Sequence, residues 1–367
     1  MAITVRDIQQ QLAQLAPVAL AESWDNVGLL IGDPGQAVTN VLVALDATAE
    51  VLAQAEEMGA ELLVVHHPLI FSGVKRLVED GGTVSLVRRL VRGERSLIAM
   101  HTNLDSSPEG LNHYVAGLLG IRNLRPLLPS AARLLLKLVV YVPVTHADSL
   151  REAICHAGAG QIGHYSECTF STSGTGTFRP EEGTSPYIGS TGELERVPEV
   201  RLETIVPRPA LHRVLQAMLT HHPYEEVAYD LFPMENAWPG AGLGRIGALD
   251  TSLTLAEFTQ TVRTALGTER LGIIGDPARS IRTVALCTGS GGEFLDAALG
   301  AGADCYLTGE VKHHQALLAR QLGIACIDAG HFPTERPAAS LLADYLATYC
   351  PDVAVHRAAE RDPFSTV

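Results

Sequence analysis

Residues 38–67, VTNVLVALDATAEVLAQAEEMGAELLVVHH, switch pattern twice within thirty positions. VTNVLVALDAT is an apolar, β-branched run bounded by turn residues, which predicts a strand. AEVLAQAEEMGA carries its apolar residues at helical spacing, and ELLVVHH returns to strand. A second helix over TVSLVRRLVRGE leads to a third strand in SLIAMHTNLD. Strands alternating with helices predict parallel β-α-β units whose strands are buried on both faces.

The same pattern recurs late in the chain. RTVALCTGSGG reads as strand and turn, EFLDAALGAGA as helix, DCYLTGE as strand, VKHHQALLARQLG as helix and IACIDAGH as strand. Laying Gly59-Ala60-Glu61 on Gly302-Ala303-Asp304 sets His66-His67 level with Gly309-Glu310, and the strand ending at His101 level with the one ending at Asp328. The expected fold class is therefore α/β. Two pseudo-equivalent halves with parallel-type sheets form one discontinuous domain, residues 1–130 and 243–367.

Residues 131–242 read differently. LLLKLVVYV begins a strand and THADSLREAICHAG is a capped helix. IGHYSECTFSTSG and VPEVRLETIVP follow as strands, RPALHRVLQAML as a helix and EEVAYDLFPM as a last strand. That order, β-α-β-β-α-β, predicts an inserted ferredoxin-like α+β domain. Its Gly/Ser/Thr/Pro-rich segment 171–192 reads as a long loop, and WPGAGLGRIG (238–247) as glycine punctuation where the chain returns to the first domain.

A chain of 367 residues suits two domains. A formal net charge of −14 argues against a nucleic-acid surface, which needs clustered Lys and Arg. No apolar run reaches the ~20 residues needed to span a bilayer. MAITVRDIQQQLAQLAP lacks a signal-peptide core and reads as an amphipathic helix capped by Thr4. The six cysteines form no CxxC, so reduced thiols in the cytoplasm are expected and a thiolate metal site is not.

Ligands of open parallel sheets bind beyond the carboxyl ends of the strands. His66 and His67 sit at such an end, and Pro68 stops the strand. The neighbouring strand closes in HTNLD, bringing His101 and Asp105 to the same rim, and the last strand of the second half closes in GHFPTE, bringing His331 and Glu335. Glu335 is expected to open the final helix, where the helix dipole favours a carboxylate. His66, His67, Asp105, His331 and Glu335 make a nitrogen–oxygen set suited to Zn, Fe, Mn, Co or Ni. Five ligands exceed what one four-coordinate ion with an open position needs, and fit two divalent ions sharing a bridging carboxylate. His221-His222 reads as a structural turn, and His313 as a solvated helix surface. His101, His314 and Glu310 are candidate acid–base or supporting groups, and Lys312 and Arg336 are candidate phosphate contacts.

SWDNVGLLIGD (23–33), VVHHPLIFSG (64–73), HTNLD (101–105), LTGEVKHHQAL (307–317) and GHFPTE (330–335) together resemble the GTP cyclohydrolase 1 type 2 homologues, the NIF-three-like dinuclear metal proteins. The resemblance covers the whole chain and implies that the same five residues hold two divalent metals. It also implies a toroidal homohexamer with its sites facing an internal cavity, and a CutA/PII-like insert in which HPYEE (222–226) is a turn motif. The activity implied is hydrolytic opening of the guanine ring of GTP with release of formate, with His101 or His314 shuttling protons. Two alternatives stand beside it: a metal-dependent phosphohydrolase of phosphoesters or nucleotides, and a non-catalytic metal-binding scaffold or regulatory protein. Within SWDNVGLLIGD, Trp24 is expected to pack and Asp25-Asn26 to form a turn, with Asp25 a candidate supporting contact to a metal histidine.

Overall fold

A computed structural model describes residues 2–79, 81–163 and 165–365. The chain divides into two compact units, residues 1–130 with 240–367, and residues 131–239. The insert thus ends three residues before the boundary expected from its glycines.

In chain order, the first segment holds α1 (Val5–Leu15), β1 (Gly28–Ile31), β2 (Asn40–Ala44), α2 (Ala49–Glu57), β3 (Leu62–Val65), α3 (Thr83–Arg92), β4 (Ser96–Ala99), α4 (Thr102–Ser106), α5 (Leu111–Leu118) and β5 (Ile121–Pro129). The insert holds β6 (Leu135–Pro143), α6 (Ala147–His156), β7 (Thr169–Phe178), β8 (Glu195–Pro207), α7 (Leu211–His221) and β9 (Tyr229–Pro233). The last segment holds β10 (Gly242–Thr254), α8 (Leu255–Leu266), β11 (Gly272–Ile274), β12 (Ser280–Cys287), α9 (Leu295–Gly300), β13 (Cys305–Thr308), α10 (His313–Leu322), β14 (Ala325–Asp328), α11 (His331–Glu335), α12 (Pro337–Tyr349) and β15 (Ala354–Arg357). Among the described residues, no helix is long and apolar enough to cross a membrane.

Two sheets carry the larger unit, in the orders β1-β4-β3-β2-β15 and β11-β14-β13-β12-β10-β5. β15, β2, β3 and β4 are mutually parallel, as are β12, β13 and β14. The two halves are equivalent down to an added detail, a short antiparallel strand on the last parallel one: β1 on β4, and β11 on β14. The sheets are thus mixed, since β10 and β5 extend the second with further antiparallel pairs.

Strand periodicity sorts the core into layers. Val41, Val43, Leu62, Val64 and Ile98 of the first sheet, and Val284, Leu286, Leu307 and Ile327 of the second, join one cluster with α1, α5, α8 and α12. The alternate residues face outward: Leu42, Leu63, Val65 and Leu97 pack beneath α2 and α3. Ala285, Tyr306 and Cys326 pack beneath α9 and α10. At ~25 cal/mol per Å² of apolar area removed from water, this double coverage is the main source of stability. Thr4 caps α1 as expected, accepting from Asp7 N–H while the Asp7 carboxylate accepts from Thr4 N–H at 2.8 Å.

Three local expectations are corrected. The first part of the segment expected as a long loop, through Phe178, continues the strand expected from IGHYSECTFSTSG: β7 runs over Thr169–Phe178, paired along its length with β8. Its faces are mostly exposed, so hydrophobic alternation is missing and only its threonines signal a strand. GLGRIG within 238–247 opens the 13-residue strand β10. Its glycines serve close strand approach: a Cβ at Gly242, whose φ is +146°, would lie 2.1 Å from Leu128 O. Glu335 closes the short helix α11 instead of opening α12, because Arg336 caps the Pro337 start.

The insert has the order β-α-β-β-α-β and an antiparallel sheet ordered β7-β8-β6-β9. α6 and α7 cover one face through Leu150, Ile154, Val214 and Met218.

Candidate metal centre

Three strand ends of the larger unit converge. His66 and His67 leave β3 with their N–H groups still bonded to Ala44 O and Leu45 O, at 3.2 and 3.0 Å. Successive side chains of a strand face opposite ways. The chain bends at both residues, so their rings instead lie 5.0 Å apart. Beyond β4, the single turn of α4 buries Asp105. Beyond β14, Gly330 takes φ +84° and turns the chain into α11, where His331 and Glu335 share a face four residues apart.

Glu335, only 4% exposed, is the hub. Its Oε1 lies 3.8 Å from His66 Nε2, and its Oε2 lies 2.9 Å from His67 Nε2 and 2.7 Å from His331 Nε2. Asp105 Oδ1 lies 3.9 Å from His66 Nε2. Despite these distances, His66 Nε2, Asp105 Oδ1 and Glu335 Oε2 are buried atoms with no aligned hydrogen bond. Orphaned buried polar atoms are costly and uncommon. A cation among them removes the cost, since bonds of ~2.0–2.2 Å set neighbouring donors ~3 Å apart. The donor set therefore fits a metal ion. Among the described residues, two groups of side chains could hold one: His66, His67 and His101, and His67, His331 and Glu335, the ligand atoms of each lying within 4.8 Å of one another.

The far nitrogen of every ring is tied down. His66 Nδ1 meets Met100 O at 2.7 Å, His67 Nδ1 meets Asp46 Oδ1 at 2.8 Å, His331 Nδ1 meets Glu310 Oε1 at 2.8 Å, and His101 Nδ1 meets Asp25 Oδ1 at 2.9 Å. All four acceptors are oxygens, so Nδ1 carries the proton and the Nε2 lone pair faces the cluster, the tautomer a metal ligand needs. Thr102 reinforces Asp25, donating from both N–H and Oγ1.

Electrostatics point the same way. Burial opposes a charged His67, but Asp46 and Glu335 outweigh it and push its pKa up to about 10. Glu335 raises His331 to about 9 against burial, with Glu310 adding to the effect. Burial would raise Glu335, yet the three imidazoles hold it well below the carboxylate range. Burial lifts Asp105, with Glu335 adding and His66 opposing. Burial also opposes the charge on Asp25, but His101 and Thr102 bring its pKa down to about 2. The carboxylates thus demand positive charge, which protons or a metal can supply.

The structure brings together all five residues expected as ligands and adds His101, whose ring lies 5.2 Å from that of His66 and 5.4 Å from that of His67. Glu310 reaches the cluster only through His331. His314 is exposed in the first turn of α10 and is not among these groups. Lys312 is exposed, and Arg336 donates to Leu266 O, so neither contacts the cluster. Trp24 does not pack into the core: it is 57% exposed, stacked on Phe71 at 5.8 Å and edge-on to His101 at 6.0 Å. Sequence reasoning missed Asp46, although it stands two residues beyond β2 on the same carboxyl rim. It also missed Gly289, where a Cβ would lie 1.9 Å from Glu335 Oε1. His222, by contrast, holds a turn, as expected: its Nε2 meets Tyr141 O at 2.9 Å and its Nδ1 accepts from Tyr224 N–H at 3.1 Å.

This layered fold with a histidine–carboxylate cluster at its strand ends matches a known class. The signature of the Duf34/NIF3 (NGG1p interacting factor 3) family spans residues 3–363, and the chain belongs to that family. It is 42% identical over 322 residues to the GTP cyclohydrolase 1 type 2 homolog of Halalkalibacterium halodurans, covering 88% of this chain and 87% of that one. It is 40% identical over 355 residues to the protein of the same name in Mycobacterium tuberculosis, covering 95% and 93%. A Bacillus cereus protein related to NIF3 superposes over 100% of both chains with a TM-score of 0.85 and 38% identity.

Proposed function

We propose that the cluster holds two divalent metal ions and that the protein is a metal-dependent hydrolase acting on a nucleotide, in the manner of a GTP cyclohydrolase 1 type 2 enzyme. The observation that carries the metal reading is the pair of Glu335 oxygens facing different imidazoles, Oε1 towards His66 and Oε2 towards His67 and His331. Asp105 and His66 would hold one ion, His67 and His331 the other, and Glu335 would bridge them. Such ions supply Lewis acidity and lower the pKa of water towards ~7.

The rest is the work of side chains. Asp25 fixes His101 with its Nε2 free, so His101 can take or return a proton at that atom. Trp24 and Phe71 offer a flat aromatic surface beside His101, suited to stacking a purine ring. Phosphate contacts fall to Lys75 and Arg76, exposed on the segment that follows Phe71. The names of the relatives favour GTP and ring opening with formate release. The family likeness favours a cytoplasmic, toroidal homohexamer, with residues 131–239 as a CutA/PII-like inserted domain.

The test loads the protein separately with Zn, Mn, Fe, Co and Ni, then measures bound metal, formate and oxidised pterin fluorescence with GTP, and phosphate release from nucleotides. Formate that disappears in Glu335→Ala supports the proposal. Phosphate release without formate transfers the site to a phosphohydrolase, and bound metal without turnover transfers it to a scaffold. Light scattering reads the oligomer in the same samples.

A further inference from the structure

The insert contains a cavity of about 390 Å³ that the chemistry above does not use. Its walls include Phe178, Tyr187 and Tyr224, and its acidic groups are Glu199, Glu225 and Glu226, against a single cation, Arg179. The rings form a connected set, Phe178 to Tyr224 at 5.5 Å and Tyr187 to Tyr224 at 6.4 Å.

Glu199 gives the cavity its purpose. It is 8% exposed, and its Oε1 accepts the Tyr224 hydroxyl at 3.0 Å. Among the described residues no cation pairs with it. Arg201, two residues along β8, is bound to Glu203. His222 lies nearby but is locked neutral: Nδ1 accepts the Tyr224 N–H, so the ring proton is on Nε2, facing Tyr141 O. The carboxylate is also given room, because a Cβ at Gly176 would lie 2.0 Å from Glu199 Oε2. A carboxylate buried without a counter-charge is costly, and such a group is retained where something supplies the charge. Aromatic faces around an anion are the recognised setting for an organic cation.

We propose that this cavity binds a small organic cation, an alkyl- or quaternary ammonium whose charge rests on Glu199 and whose carbons contact Phe178, Tyr187 and Tyr224. Glu225 and Glu226 add negative potential at the mouth. The site is independent of the metal reading and stands or falls separately from it.

Titration calorimetry on the full chain tests it, with choline and n-butylammonium as probes and 3,3-dimethyl-1-butanol as the uncharged isostere of choline. At least one cation is expected to bind about tenfold tighter than the isostere. Glu199→Gln is expected to remove that preference while circular dichroism stays unchanged. Tyr187→Ala, at an exposed position, is expected to weaken cation binding several-fold while circular dichroism stays unchanged. Binding of both cations no tighter than the isostere, no binding of either cation, or an unaltered preference in folded Glu199→Gln overturns the proposal.

Discussion

Glu335 Oε2 lies 2.7 Å from His331 Nε2 yet forms no aligned hydrogen bond with it. The two side chains stand four residues apart on one helical turn. His67 Nε2 lies 2.9 Å from the same oxygen, again with no aligned hydrogen bond. Three donors converging on a gap define a cation seat more strongly than any one of them.

Removing the hub therefore matters more than removing a spoke. Glu335→Ala is expected to abolish tight metal retention, and His331→Ala to weaken it while leaving His66 and Asp105 together. Elemental analysis after desalting reads both. In the wild type, ligand binding at a hundredfold excess over Kd adds about 2.7 kcal/mol of stability. Metal should thus raise Tm in wild type and not in Glu335→Ala, and an equal rise in both sinks the assignment.

The pH dependence of the metal-free protein has a definite sign. His67 at about 10 and His331 at about 9 are both raised from the ordinary imidazole value of 6.5. Their contribution is then full below pH ~6.5 and is lost as pH climbs through 9 to 10. Chelated protein should lose Tm across that window, whereas metal-loaded protein, in which protons have been displaced, should lose less. His331→Asn should shrink the difference around pH 9. Parallel curves for loaded and chelated protein would falsify the coupling.

Asp25 is depressed to about 2 from 3.8, so its contribution is complete above pH ~4 and disappears as pH falls towards 2. Asp25→Ala strands His101 Nδ1 and Thr102 N–H. The expected cost is about 1–3 kcal/mol, read from urea denaturation. Because His101 then loses its tautomer control, any turnover should fall about 10–100-fold, with the bound metal that His67, His331 and Glu335 hold largely retained.

Two glycines with nearly the same backbone separate strain from site damage. Gly59 at φ +64° has nothing within 4 Å of a built Cβ, whereas Gly289 at φ +63° would place one 1.9 Å from Glu335 Oε1. Gly59→Ala should cost about 1–2 kcal/mol from the left-handed conformation alone. Gly289→Ala should cost more and release metal as well. Equal effects on stability and metal content would show that Glu335 moves aside freely.

The parallel strands are legible in the sequence because both of their faces are buried, which leaves runs such as LLVV that polar loops cannot mimic. The candidate ligands are legible for a related reason: few residue types bind metals, and the carboxyl ends of such strands are where they collect. The far end of β7 is not legible because its faces are mostly exposed, and β10 is hidden by glycines that serve close strand contact. The residues that orient the rings escape notice because the fold alone makes them neighbours. Asp25 meets His101 across 76 positions, and Asp46 meets His67 across 21. The exposure of Trp24 follows from the same limit: an aromatic side chain in sequence does not announce whether it faces core or cleft.

The two halves contribute unequally and neither contributes enough. Residues 1–130 bring His66, His67 and Asp105, and only the segment after residue 239 brings His331 and Glu335. During synthesis the early histidines therefore wait, unpaired with their acid, while the whole insert leaves the ribosome. On the metal assignment proposed above, cation uptake would be the closing event of biogenesis, and a truncated product would be recognisable by its inability to keep an ion.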